Sequence, residues 1–109
     1  MKLRVNENYS KVRNLFTNFY SDSNIINNSK VDEDTYFIVV EKFFFRNSSR
    51  ASLSIVISQV DEYKCLIEEV GSGGGKGMIF KFDWGAKESF ETEIATILRN
   101  SQIHFEILR

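Results

Sequence analysis

A chain of 109 residues, 42% hydrophobic and 14% aromatic, has the size of one domain and enough apolar side chains to build a core without disulfides or metal, which excludes a disordered polypeptide. Fourteen basic and fifteen acidic residues leave a formal charge of −1, so no net field draws the chain toward nucleic acid or anionic lipid. Cys65 is the only cysteine, so an intramolecular disulfide is impossible and a secreted disulfide framework is not expected.

Charges at Lys2, Arg4, Glu7, Lys11 and Arg13 interrupt any apolar run of a signal peptide. The most apolar stretch, Tyr36 to Phe45, is broken by Glu41 and Lys42 and is far short of the ~20 residues a spanning helix needs. The expectation is a single cytoplasmic domain over residues 1–109, with no membrane and no nucleic acid among its partners.

In chain order, Leu3 and Val5 alternate with Lys2 and Arg4 as in a short strand. Val12, Leu15, Phe16 and Phe19 then form one apolar stripe on a helix from Tyr9 to Tyr20, with Asn8 as its N-cap. Ser21 to Thr35 is polar and turn-rich and predicts a long loop, with Ile25 and Ile26 as a brief strand or a core plug. Tyr36 to Phe45 predicts a strand with both faces partly apolar, something covering each side. Ala51 to Val60 alternates Ala51, Leu53, Ile55 and Ile57 against Ser52, Ser54 and Ser58, and Tyr63 to Val70 returns as its hairpin partner through a turn wider than two residues, because no glycine is present.

Beyond the glycines, Met78, Phe80, Phe82 and Trp84 alternate as a fourth strand with a bulky face, and Ala86 to Asn100 predicts a second helix with Phe90, Ile94, Ile97 and Leu98 as its stripe. The tail, with Ile103, Phe105 and Ile107, reads as a last strand in preference to a continued helix. The sum is an α+β, two-layer domain: a curved antiparallel sheet of about five strands with two helices on one face. Its strand, helix, four strands, helix order looks like the TATA-box-binding-protein-like and helix-grip architectures, a likeness that carries no function.

Five of the six glycines sit within residues 71–77. A P-loop would need glycine where Val70 stands and Ser or Thr where Gly77 stands, and a dinucleotide loop would need glycine in place of Lys76. Both also need a helix directly after the loop, whereas a strand is predicted. A hairpin or crossover loop is the plain reading. The functional one is a run of backbone N–H groups at Gly73, Gly74 and Gly75 presented to an anion, with Lys76 as counter-charge.

The single histidine, His104, has no histidine or second cysteine to share a metal with. A Cys65–His104 nucleophile and base would require distant segments to meet, so an inert buried thiol is the better reading. Glu68 and Glu69, being adjacent, point to opposite faces of a strand and form no carboxylate pair. Asp32, Glu33 and Asp34 lack the spacing and glycine turn of a calcium loop. No metal and no cofactor are expected.

The run from Val70 to Phe90, VGSGGGKGMIFKFDWGAKESF, preceded by SLSIVISQ and FIVVEKFFF, resembles a family of small bacterial proteins classed as domain of unknown function 6054. The likeness covers nearly the whole chain. Its most specific part is a Ser-Gly-Gly turn, an aromatic strand through Lys81 and Phe82, then a glycine and an acidic helix start containing Phe90. The family implies no activity and no site residues.

The functional expectation is a non-enzymatic binding domain with a small apolar cleft lined by Phe80, Phe82, Trp84 and Phe90, and the loop of Gly73, Gly74, Gly75 and Lys76 at its mouth, taking an unknown small molecule. The alternative is a protein-interaction or self-association module, a homodimer, built on Tyr36–Phe45 or the apolar tail.

Overall fold

A computed structural model describes residues 1–20, 25–44, 49–73 and 86–108, with backbone alone at 43, 44, 49, 73 and 86–92. The elements are β1 (Lys2–Val5), α1 (Tyr9–Phe19), β2 (Ile25–Asp32), β3 (Thr35–Phe44), β4 (Ser49–Asp61), β5 (Lys64–Gly73), α2 (Ala86–Asn100) and β6 (Phe105–Leu108). The strands form one six-stranded sheet in the order β2-β3-β4-β5-β1-β6, with every neighbouring pair antiparallel.

The α+β class with two helices is as expected, and the strand set is not. Among the described residues four strands lie between the helices, but the first is β2, where a polar loop was predicted. Asn27, Asn28, Ser29 and Lys30 are poor strand formers individually. They are held by pairing with Val39, Ile38, Phe37 and Tyr36 of β3, and the Asn27 side chain donates to the Phe37 carbonyl at 3.0 Å. Register shifts flank this stretch, at Ile25/Asn27 and Lys30/Asp32. The predicted strand from Met78 to Trp84 lies outside the described residues. Among the described residues the sheet therefore has six strands, where about five were expected, and it departs from the strand order of the two named architectures.

One sheet face carries the core. Leu3 and Val5 of β1, Ile38 and Val40 of β3, Leu53, Ile55 and Ile57 of β4, and Cys65 and Ile67 of β5 are all buried. Against them lie Val12 and Phe16 of α1 and Ile94, Ile97 and Leu98 of α2. Leu15 packs at the margin of this cluster, while Phe19, assigned to the same stripe, is 54% exposed. The apolar arc of α1 is thus narrower than its periodicity suggests, because Tyr20, the residue that ends the helix, turns into the core in place of Phe19.

Local chemistry sets the ends of the elements. Asn8 caps α1 as expected, its Oδ1 accepting from the N–H groups of Ser10 at 2.9 Å and Lys11 at 3.4 Å. The β4–β5 turn is tight, contrary to expectation: Glu62 and Tyr63 alone connect the paired Asp61 and Lys64. Asp61 Oδ1 accepts the Tyr63 N–H at 2.7 Å, and a register shift at Gln59/Asp61 absorbs the mismatch that glycine would otherwise relieve. Helix α2 stops at a Schellman motif, with Ile103 N–H to Leu98 O at 3.0 Å and Gln102 N–H to Arg99 O at 2.9 Å. Gln102 takes φ of 60°, the left-handed region that glycine enters without penalty.

Two outcomes follow. Gln102→Gly removes the Cβ penalty and raises unfolding free energy by about 1 kcal/mol, read by urea denaturation. Burial, reinforced by the negative charge of Glu7, pushes the Cys65 thiol up to about 12. The unfolded thiol ionises near about 8.5, so its contribution is complete below that pH and is lost as pH rises toward the folded value. The denaturation midpoint of the wild type therefore falls more steeply than that of Cys65→Ala across this alkaline window, and equal slopes would contradict the assignment.

Candidate functional site

The inward face of the sheet changes character toward one end. Register aligns Ile38, Ile55 and Glu69 in one row, Val40, Leu53 and Gly71 in the next, and Lys42, Ala51 and Gly73 in the last. Apolar bulk gives way to two glycines, one alanine, a lysine and a carboxylate, so at this end β4 and β5 carry no inward side chain larger than a methyl beyond Leu53 and Glu69. Strand β5 runs through Gly71, Ser72 and Gly73, so the first glycines of the predicted loop belong to the sheet.

Glu69 is fully buried, the one charged residue in the core among the described residues. Alternation along β5 places it inward with Cys65 and Ile67, while Glu68 points out, so the two are on opposite faces as expected. The consequence of that alternation, a carboxylate in the core, is legible in the pattern but easily passed over because glutamate usually marks the solvent face. The amino group of Met1 donates to the Glu69 carbonyl at 2.7 Å and lies 3.9 Å from its Oε1.

Helix α2 brings Glu93 to the same end. Its Oε1 accepts from the Tyr20 hydroxyl at 3.0 Å, and its Oε2 pairs with the Lys42 ammonium. Tyr20 is nearly fully buried. Burial raises its phenol well above the ordinary tyrosine range, and the charge of Glu93, the hydrogen bond to it and the charge of Glu69 push the same way. Tyr20 is therefore a fixed hydrogen-bond donor, neutral across the physiological range. One phenol, two carboxylates and one ammonium lie at this end of the sheet, Tyr20 and Glu69 buried and the Lys42–Glu93 pair partly exposed and screened by solvent.

The residues predicted as the site are divided. Gly73 ends β5; Gly74, Gly75, Lys76, Phe80, Phe82 and Trp84 lie outside the described residues. Phe90 lies on α2, one turn before Glu93, and its side chain is also outside them. Cys65 and His104 come closer than expected, because Val5 pairs with both Cys65 and Phe105, which puts them about two strand spacings, ~10 Å, apart. Cys65 is buried in the core and His104 is exposed, so they do not form a nucleophile and base. No group of three or more His, Cys, Asp or Glu among the described residues is placed to hold a metal. No described helix is long and apolar enough to cross a membrane.

A groove of about 330 Å³ lies between Lys11, Asn14, Leu15 and Asn18 of α1 and Ser101 and Ile103. A smaller hollow of about 110 Å³ lies on the opposite sheet face, around Lys2, Val56, Ser58 and Leu66. Neither is the aromatic cleft predicted from the sequence.

No curated protein and no solved structure matches the chain. The profile of a family of unknown function, DUF6054, matches residues 6–102, which is the family that the Val70–Phe90 run resembles. The match spans the helices, the cluster of Tyr20, Lys42, Glu69 and Glu93, and the glycine-rich run, and the chain belongs to that family.

Proposed function

We propose that the protein is a non-enzymatic binding domain whose ligand sits at the polar end of the covered sheet face, between α2 and the strands carrying Lys42 and Glu69. The observation that carries this reading is the convergence of Tyr20, Lys42, Glu69 and Glu93 over a floor of Ala51, Gly71 and Gly73. Binding sites are mostly apolar with a few fixed polar groups. A small molecule with an apolar body and one polar end suits such a seat. The predicted lining residues Phe80, Phe82 and Trp84 lie outside the described residues, as does the Phe90 side chain, and this proposal does not rest on them. A binding role without catalysis is favoured by the state of the candidate groups: a thiol and a phenol both held protonated, and a histidine on the surface.

Self-association is the second reading, favoured by the uncovered sheet face. Both helices pack on one side, while Phe37, Val39, Val56 and Leu66 are half-buried and Val70 is 56% exposed on the other. This is the other side of the Tyr36–Phe45 strand, for which a cover was expected.

Native mass spectrometry of the untagged protein separates the two. The expected result is a mass above that of the bare chain, reduced to it on denaturation. Lys42→Gln and Glu93→Gln are expected to lose the added mass while shifting stability by no more than ~1 kcal/mol, since the pair is partly exposed. A bare dimer would replace the first reading with the second, and a bare monomer at high concentration would overturn both.

A further inference from the structure

At the other end of the covered face, about 20 Å along β3 from Lys42, two cations meet one ring. The Arg13 guanidinium carbon lies 4.9 Å from the Tyr36 ring centroid and the Lys30 ammonium 5.8 Å from it. Arg13 comes from α1 and Lys30 is the register partner of Tyr36 on β2. Tyr36 is braced from behind by Tyr9, with ring centroids 5.1 Å apart, and the Tyr9 hydroxyl is anchored on the Glu33 carbonyl at 2.7 Å.

Neither cation is in ion-pair contact with a carboxylate; the salt bridges among the described residues involve other groups. In the adjacent turn, Asp32 Oδ1 accepts the Asp34 N–H at 2.8 Å and closes the turn. Arg13 is held in place by neutral acceptors, donating to Asn14 Oδ1 at 3.1 Å and Asn28 Oδ1 at 3.3 Å. Its buried Nε has no hydrogen-bond partner. Nη1 and Nη2 use one N–H each on the asparagines, so each keeps a second to donate, beside the Lys30 ammonium, the Asn28 amide nitrogen and the Tyr36 ring with its hydroxyl.

We propose that Arg13, Asn28, Lys30 and Tyr36 form a seat for the phosphoryl group of a small-molecule ligand. Two positive charges suit a dianion, the planar fork of Arg13 takes two of its oxygens, and the ammonium with the neutral donors takes the others. A carboxylate has one charge and two oxygens and leaves half of these groups without a partner. The seat lies on a different part of the sheet from the polar cluster of Tyr20, Lys42, Glu69 and Glu93, and stands or falls independently of it.

The test is NMR titration of the full chain, following the Arg13 side-chain N–H and the Tyr36 ring protons. Inorganic phosphate and phenyl phosphate are the probes, with acetate and chloride at matched ionic strength as controls. Saturable shifts with phosphate, weakened at least tenfold in both Arg13→Gln and Lys30→Gln and unchanged in Arg4→Gln on the opposite face, are the expected result. Lys30 is exposed, so its variant keeps the fold. Phenyl phosphate binding more tightly than phosphate assigns the seat to an ester, and equal binding assigns it to the free ion. Shifts that follow ionic strength alike for all salts, saturation by acetate in preference to phosphate, or undiminished binding in Lys30→Gln would overturn the proposal.

Discussion

Two helices with one apolar stripe each can be buried only if a sheet offers them a continuous apolar face, and here that face is assembled from strands far apart in the chain. Leu3 of β1 pairs with Ile67 of β5, which pairs with Ile57 of β4. The first strand is thus inserted between the fifth and the last, and the core closes only when both ends of the described chain are in place. Each fully buried aliphatic or aromatic side chain in this layer contributes roughly 1.5–3 kcal/mol, so the row from Leu3 to Ile57 anchors the loops and polar groups at either end.

That closed layer also explains why the two polar sites occupy its ends. Leu3, Ile67 and Ile57 are apolar across their row, and the next row, with Ile38 and Ile55, brings in Glu69 as its one charge. Toward Lys42 the floor falls to Ala51, Gly71 and Gly73, and the helix above presents Glu93 in place of Ile94 or Ile97. Toward Tyr36 the sheet extends past the helices onto β2, and cations from α1 and β2 lean over an aromatic ring instead of an aliphatic core.

Much of the architecture was legible in the residues. Alternation from Ala51 to Ile57, the stripe of Val12 and Phe16, the Asn8 cap and the last strand each rest on local patterns that the tertiary structure leaves unchanged. The misses have a common physical origin, in that tertiary pairing overrides local preference. Strand β2 is built from asparagine, serine and lysine, and exists because β3 offers it a ladder. The tight turn at Glu62–Tyr63 works without glycine because Asp61 supplies the hydrogen bond and a register shift supplies the twist. Of the residues predicted as the site, Gly73 alone has a described backbone in the sheet, at the end of β5, and the sequence drew attention to the glycines instead of the polar groups. It did not single out Tyr20, Lys42 and Glu93, whose convergence from three elements leaves no spacing to recognise.

The irregular ladder of β2 has a further consequence. Among the described residues the sheet ends at β2 on one side and at the four-residue β6 on the other. An edge with shifts at both ends offers an incoming strand no more than a few residues of straight ladder, and Lys30 sets a charge in that interval. A four-residue edge offers little more. Growth by adding strands, the route to open-ended fibres, is therefore disfavoured at both of these borders.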